Sequence, residues 1–235
     1  MMKKDQNKTE QNKSYMSLRR QILNKNSSFI VQEAYKSLRT NVRFYNSDGK
    51  CKKMCITSGA AGEGKSITLL NLAISIGESG KKVLLIDADL RRPALARLLV
   101  EKSKPGLSNV LVGQVNVEEA LRKDIYPNLD VILSGDVPPN PSELIGSEKM
   151  QELIENMSAQ YDYILVDTPP VGVVSDTCLV ANFLDGVLVL AWQGRSQKEA
   201  VKKAVNNLNL TGAKILGYIL NGVQVEKKSY HYYYY

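Results

Sequence analysis

Residues Gly59-Ala60-Ala61-Gly62-Glu63-Gly64-Lys65-Ser66 constrain the fold more than any other stretch of this 235-residue chain. They follow a short apolar run, Met54-Cys55-Ile56-Thr57, and open a segment from Lys65 to Ser79 with helical character, which Gly80 is placed to end. A strand, a glycine-rich turn closing on Gly-Lys-Ser and a helix make a phosphate-binding loop. The glycines let successive N–H groups converge on phosphate oxygens, and the helix N-terminus adds positive potential. Gly59, Ala60, Ala61, Gly62, Glu63, Gly64 and Ile67 then surround the phosphates. Lys65 reaches the terminal ones, and Ser66 offers its hydroxyl to magnesium.

Strands and helices alternate around this loop. A helix from Ser27 or Ser28 to about Tyr45 is expected from Val31, Ala34, Tyr35, Leu38, Val42 and Tyr45, with a turn at Asn46-Ser47-Asp48-Gly49. Strands are expected at Val83 to Ile86, Leu129 to Leu133, Tyr163 to Val166, Val187 to Ala191 and Ile215 to Leu220. Between them fall helical pieces at Arg97 to Val100, Ser108 to Leu111, Val117 to Arg122, Glu148 to Met157, Ser175 to Phe183 and Ser196 to Leu208, with one more starting at Ser142. The pattern predicts an α/β fold, a mostly parallel sheet flanked by helices, with its ligand at the carboxyl ends of the strands.

Carboxylates stand at two such ends. Asp87 and Asp89 follow one strand, and Asp167 follows another ahead of Thr168-Pro169-Pro170. A phosphate-binding loop needs an acidic residue at a neighbouring strand end to hold the metal, and Asp167 fits. One of Asp87 and Asp89 is then free to take a proton from an attacking hydroxyl. For Asp89 the alternative is a helix cap or an ion pair with Arg91 or Arg92.

The other end of the chain offers an acceptor. Five of the twelve tyrosines, Tyr230 and Tyr232 to Tyr235, lie in the last six residues. They present phenol hydroxyls; an adhesive aromatic tail is the other reading. The net charge of +7 is confined to residues 1–50, where eleven Lys or Arg face four Asp or Glu; residues 51–235 balance at twenty of each. Such an arm suits an anionic membrane surface, nucleic acid or an acidic partner, or is merely solvated. The division expected is a basic, disordered arm over 1–27, one α/β domain over 28–223 and a flexible tyrosine-rich tail over 224–235. The longest apolar runs, such as Gly186 to Trp192, are strand-sized, and the polar N-terminus does not resemble a secretory signal. Cys51, Cys55 and Cys178 lack metal-ligand spacing and fit a reducing compartment.

The loop, the run Leu85-Ile86-Asp87-Ala88-Asp89-Leu90-Arg91-Arg92-Pro93, the run Ile164-Leu165-Val166-Asp167-Thr168-Pro169-Pro170 and the tyrosine cluster together resemble the bacterial protein-tyrosine kinases of capsule and exopolysaccharide synthesis. The resemblance covers about residues 28 to 235, including Gly106 to Leu111 and Pro138 to Leu144. It implies an enzyme that binds ATP and Mg²⁺ and phosphorylates its own tail tyrosines; because a parallel final strand would release the tail on the loop's side, and return into its own site would need a tight reversal, transfer in trans is expected. It casts Lys65 as the phosphate-binding lysine, Ser66, Asp89 and Asp167 as the magnesium set, Asp87 as the base and Asn221 as a neighbour of the adenine. Glu33, Lys36 and Arg39 match the family's subunit-contact motif, with lysine where its first arginine stands; a packing helix with solvated charges fits them equally. Ala61 and Ile67 depart from the usual proline and threonine, neither of which supplies an essential functional group there.

The same resemblance implies a homo-oligomeric ring, a separate membrane-embedded activator, a cognate tyrosine phosphatase, no nucleic-acid partner, and a cytoplasmic position at the inner face of the membrane. The main rival is a partitioning-type ATPase switch without kinase activity. That class carries an extra lysine where this chain has Ala60, and it lacks a tyrosine tail.

Overall fold

The computed structural model describes residues 20–45 and 52–224. The turn expected at Asn46 to Gly49, Cys51, the first nineteen residues and the tyrosine cluster lie outside them. In chain order the elements are α1 (Phe29–Phe44), β1 (Lys52–Ser58), α2 (Lys65–Gly77), β2 (Val83–Asp87), α3 (Leu95–Leu99), α4 (Leu107–Leu111), α5 (Val117–Ala120), β3 (Leu121–Tyr126), β4 (Leu129–Ile132), α6 (Pro141–Ile145), α7 (Glu148–Ser158), β5 (Tyr163–Asp167), α8 (Asp176–Ala181), β6 (Gly186–Trp192), α9 (Lys198–Leu210) and β7 (Ile215–Asn221).

The strands form one sheet in the order β3-β4-β2-β5-β1-β6-β7. All described pairings are parallel except β3 with β4. Side chains alternate along each strand, and both faces are covered, so both sets are apolar. Cys55, Leu84, Ile86, Ile164, Val166 and Val189 enter one core. Met54, Ile56, Leu85, Leu165, Leu188 and Leu190 enter the other. Helix α2 lies in the second, packed against α1, and every residue from Ile67 to Gly77 is buried. This explains its lack of a polar stripe: it is enclosed all round.

Two expectations are corrected. Residues 20–27 are not part of an unpacked arm. Ile22 and Leu23 are buried, and Asn71 of α2 holds the segment by accepting the Leu23 N–H at 2.8 Å and donating to the Gln21 carbonyl at 2.9 Å. Two apolar residues within a polar stretch suffice when a helix supplies the matching amide. Second, the helix expected at Val117 to Arg122 ends at Ala120, and Leu121 turns into β3. Its register with β4 is Leu121 opposite Ile132 and Arg122 opposite Val131. The Arg122 guanidinium donates to the carbonyls of Glu119, Ala120, Lys104 and Pro105, anchoring this edge. A charged edge strand shows no apolar alternation, which is why its pattern is silent.

Candidate functional site

The loop from Gly59 to Ser66 joins β1 to α2 at the carboxyl edge of the sheet. Gly64 has φ of +90°, and a Cβ there would lie 2.4 Å from Asn221 Nδ2, so only glycine fits. Asn221, closing β7, donates to the Glu63 carbonyl at 3.1 Å, and its own Oδ1 accepts the Gly222 N–H at 2.8 Å. Its amide is thereby tied to the back of the loop. The Glu63 side chain is also structural: it is buried, accepts the Ala60 N–H at 3.1 Å and accepts the Ser196 hydroxyl. Ser196 in turn accepts the Trp192 N–H at 2.7 Å. Gly59, Ala60 and Glu63 thus build the loop. Ala61, Gly62, Gly64, Lys65, Ser66 and Ile67 face a cavity of about 620 Å³.

The three aspartates gather beside it, at two levels. Strands β2 and β5 are neighbours, and Asp87 stands opposite Asp167 in register. Both are fully buried behind the cavity wall. Asp87 Oδ2 accepts the Leu95 N–H at 3.3 Å, whereas Asp87 Oδ1 and both Asp167 oxygens have no hydrogen-bond partner. Asp89 lines the cavity, and its Oδ1 accepts the Arg92 N–H at 2.9 Å, so it also caps the turn that follows. Burial holds the Asp87 carboxyl well above the usual range, and the neighbouring Asp167 and then Asp89 charges push it further. Burial likewise pushes Asp167 up to about 7; the Ser66 hydroxyl and the Lys65 ammonium oppose this, and Asp89 adds to it.

A buried carboxylate with both oxygens unpartnered is costly unless a cation arrives. Asp167 therefore fits magnesium, with Ser66 and Asp89 as the other groups that would hold it. Among the described residues no group of three or more His, Cys, Asp or Glu forms a metal site by itself.

The structure adds residues that the sequence reading did not single out for this site. Arg91 lines the cavity, but its partner is Asp176 of α8: Nε donates to Oδ2 at 2.7 Å and a terminal nitrogen to Oδ1 at 3.1 Å. The same guanidinium reaches the Ser142 hydroxyl at 2.8 Å, and Ser142 donates to Asp176 at 2.8 Å. This network ties the loop after β2 to α6 and α8. Trp192, at the carboxyl end of β6, lines the other end of the cavity with Arg195, whose guanidinium lies 5.4 Å from the indole centre. The rule that ligands sit at strand ends could have found Trp192. The long-range partners of Arg91 carried no signal. On α1, Lys36 pairs with Glu33 at 2.7 Å on the surface, and Arg39 donates to the Ser75 carbonyl of α2 at 2.5 Å.

The loop at the edge of a parallel sheet, with buried carboxylates at two adjacent strand ends, defines a P-loop ATPase fold. The AAA domain family matches residues 51–214. Tyrosine-protein kinase YwqD of Bacillus subtilis is 40% identical over 87% of this chain and 86% of its own length. Tyrosine-protein kinase ptk of Acinetobacter johnsonii is 37% identical over 88% of this chain but only 28% of its own. Among solved structures, the kinase domain of the Escherichia coli tyrosine kinase ETK superposes with a TM-score of 0.79 at 36% identity, covering 82% of this chain and 76% of that one. The septum site-determining protein MinD of Pyrococcus horikoshii, complexed with Mg-ADP, reaches a TM-score of 0.61 at 28% identity, over 72% and 70%. The chain belongs to the AAA domain family and, within it, to the bacterial tyrosine-protein kinases of capsule and exopolysaccharide type.

Proposed function

We propose that this kinase carries the γ-phosphoryl group of ATP to Tyr230, Tyr232, Tyr233, Tyr234 and Tyr235 of a second copy, and so regulates synthesis and export of capsular or extracellular polysaccharide. One observation carries the reading: the loop and the exit of the chain share one edge of the sheet. Strand β7 is parallel to β6, and β6 to β1, so Asn221 ends at the loop and bonds it. From Gln224 to Tyr235 the chain extends about 35–40 Å at full stretch. That span reaches a neighbouring cavity, whereas entry into its own would need a tight reversal.

In this reading Lys65 and the loop N–H groups hold the triphosphate. Ser66, Asp89 and Asp167 would hold magnesium, which supplies charge neutralisation on the phosphates. The phenol oxygen bonds to the γ-phosphorus, the bond to the bridging oxygen breaks to leave ADP, and the phenol proton passes to Asp87. The raised affinity of Asp87 for a proton suits that task, because a phenol titrates near 10 and an ordinary carboxylate is a poor match.

The Acinetobacter johnsonii relative holds a unit like this within a longer chain, and no helix among the described residues is long and apolar enough to cross a membrane. A separate membrane-embedded activator, bringing the kinase to the inner face of the membrane, completes the reading. Glu33, Lys36 and Arg39 contribute to a ring of subunits, and a cognate phosphatase resets the tail. Each phosphotyrosine adds about −1.5 to −2 charges, and the repulsion releases the ring.

The test mixes, with MgATP and the activator, a Lys65→Met chain and a chain whose five tail tyrosines are alanine. Mass spectrometry should find phosphate on the Lys65→Met tail. ATP turnover with both tails bare would leave a nucleotide switch of the MinD kind and refute transfer.

A further inference from the structure

The nucleotide cavity occupies the carboxyl edge of the sheet, and the opposite edge, where the parallel strands begin, carries cations. Lys52 opens β1, Lys81 and Lys82 lead into β2, and Lys214 leads into β7. Helix α1 ends at the same edge: Arg39 donates to the Ser75 carbonyl near the end of α2, and the Arg43 carbonyl accepts Lys52 Nζ at 2.5 Å. Arg43, Lys81, Lys82 and Lys214 are all exposed. Two lysines of this edge are neutralised, Lys53 by Glu155 at 3.0 Å and Lys81 by Asp162 at 2.9 Å. The second Asp162 oxygen accepts the Lys82 N–H at 2.8 Å, and Asp185 accepts the Lys53 N–H at 2.7 Å. Arg43, Lys82 and Lys214 form no ion pair among the described residues.

Aromatic rings stand among these cations. Phe44, in the last turn of α1, is 79% exposed. It is preceded by Arg43 and followed by Tyr45, whose ring carries Lys214 Nζ 5.1 Å from its centre. Lys52 Nζ lies 5.6 Å from the centre of the Tyr163 ring. Burial raises the pKa of that phenol, and the charges of Lys81 and then Arg43 lower it, so one cluster joins α1 to the starts of β1, β2 and β5. A single exposed phenyl ring is ordinary on a protein surface. One flanked by charges on flexible stems suits a boundary between water and hydrocarbon. The ring enters the apolar layer, the stems lie along it, and the charges stay at the headgroups.

We infer that this edge rests directly on an anionic lipid surface, with Phe44 in the interfacial layer and Arg43, Lys52, Lys82 and Lys214 against the headgroup phosphates. The contact is additional to any membrane-embedded activator and does not depend on phosphoryl transfer. Nucleic acid would satisfy the cations but offers no apolar layer to Phe44, which favours lipid. The surplus positive charge of residues 1–50 adds a second attraction to the same leaflet, and two weak signals together hold a protein that neither holds alone. The consequence is an orientation. The phosphate loop and the exit of the chain after Asn221 lie at the other edge of the sheet, so the cavity opens away from the bilayer.

Vesicle sedimentation of the full chain without activator tests this, using phosphatidylcholine with and without phosphatidylglycerol. The parental chain should bind the anionic vesicles at least about tenfold more tightly than the neutral ones, and salt should weaken the binding. Phe44→Ser should weaken it about tenfold, whereas Phe44→Leu should stay within about threefold. Arg43→Glu combined with Lys214→Glu should weaken it about tenfold or more. MgADP affinity within about twofold of the parent checks that each variant folds. Phe44→Trp reports position: vesicles with brominated acyl chains should quench its emission. Trp192, the parental chain's single tryptophan and a resident of the opposite edge, should stay unquenched. A bound Phe44→Trp chain that is not quenched overturns the inference and leaves the binding to the basic arm. Unchanged vesicle binding in Phe44→Ser overturns it also, and a changed subunit count in that variant then gives the face to a second copy. Equally tight binding of duplex DNA, lost in the charge-reversed chain while Phe44→Ser affects neither ligand, gives the face to nucleic acid and overturns the lipid assignment.

Discussion

Asp167→Asn, in the nucleotide-free kinase, should make the protein more stable at pH 8 while destroying its use of magnesium. Asp167 is fully buried with neither oxygen bonded, and its pKa rises from an ordinary 3.8 to about 7. A shift of roughly 3 units corresponds to about 4 kcal/mol held against the folded state once the group is ionised. An asparagine of the same shape removes the charge but leaves an unpartnered amide, which keeps about 2 kcal/mol of desolvation penalty. The net gain is about 2 kcal/mol, or roughly 4–8 °C for a domain of this size. The sign follows from linkage. The folded state binds the proton more tightly than the unfolded state, so the favourable protonated form is fully present below about pH 4 and is lost as pH rises through 7. Asp87 opposite shares the titration, and the substitution also relieves its repulsion. Thermal denaturation in chelator at pH 8 and pH 4.5 measures this. The variant's advantage should appear at pH 8 and vanish at pH 4.5. An equal difference at both values, or a less stable variant at pH 8, refutes the argument that Asp167 is a charge held in readiness for a cation. In the same assay the parental chain should gain stability from MgATP, and the variant should gain less.

Three further substitutions probe the struts of the site. Glu63→Ala leaves the Ala60 N–H and the Ser196 hydroxyl without their acceptor and should weaken MgADP binding at least tenfold by calorimetry, whereas Glu63→Gln retains one acceptor oxygen and should stay within about threefold. Gly172→Ala drives a Cβ into the Gly59 carbonyl and should lower kcat by about tenfold or more in a phosphotyrosine assay; a rate within twofold of the parent would show that the two loops move independently. Arg91→Lys cannot reproduce the two-pronged contact with Asp176, so kcat should fall several-fold while the MgADP affinity measured by titration holds; a loss of affinity alone would place Arg91 on the nucleotide instead.

What the sequence disclosed and what it withheld divide along a physical line. The phosphate loop, the buried strands around Ile86, Leu165 and Val189, and the aspartates that end two of them were legible because each is a local pattern: spacing, alternation, or a charge directly after an apolar run. Lys65, Ser66 and Asp89 face the cavity as that pattern requires. Glu63 was legible as a loop member but not as a strut, because its hydroxyl partner lies 133 residues away. Asn221 was legible as a strand-end residue, while its bond to the loop, across 158 residues, was not. The Asp176 carboxylate gave no hint of Arg91 for the same reason, with 85 residues between them. Strand β3 failed differently: Arg122-Lys123-Asp124 interrupts any alternation, and only the Pro127-Asn128 turn marks the hairpin.

Those long-range struts also hold the phosphate loop in place. The donor side is braced by three separate strand ends, through Ser196 after β6, Asn221 at β7 and Gly172 after β5. Backbone N–H groups and one lysine can therefore hold their positions without closing on a ligand first. The opposite side concentrates three buried aspartates, which would repel one another if all were charged. Burial and then the Asp167 charge favour the protonated form of Asp87, and burial favours that of Asp167. On the proposed transfer reading, a cation held by Ser66, Asp89 and Asp167 would favour the ionised carboxylates. On that reading a base ionised only in the loaded site would suppress idle proton transfer, and binding kinetics should show the nucleotide entering before the tyrosine; a tyrosine that binds first with equal affinity refutes this order.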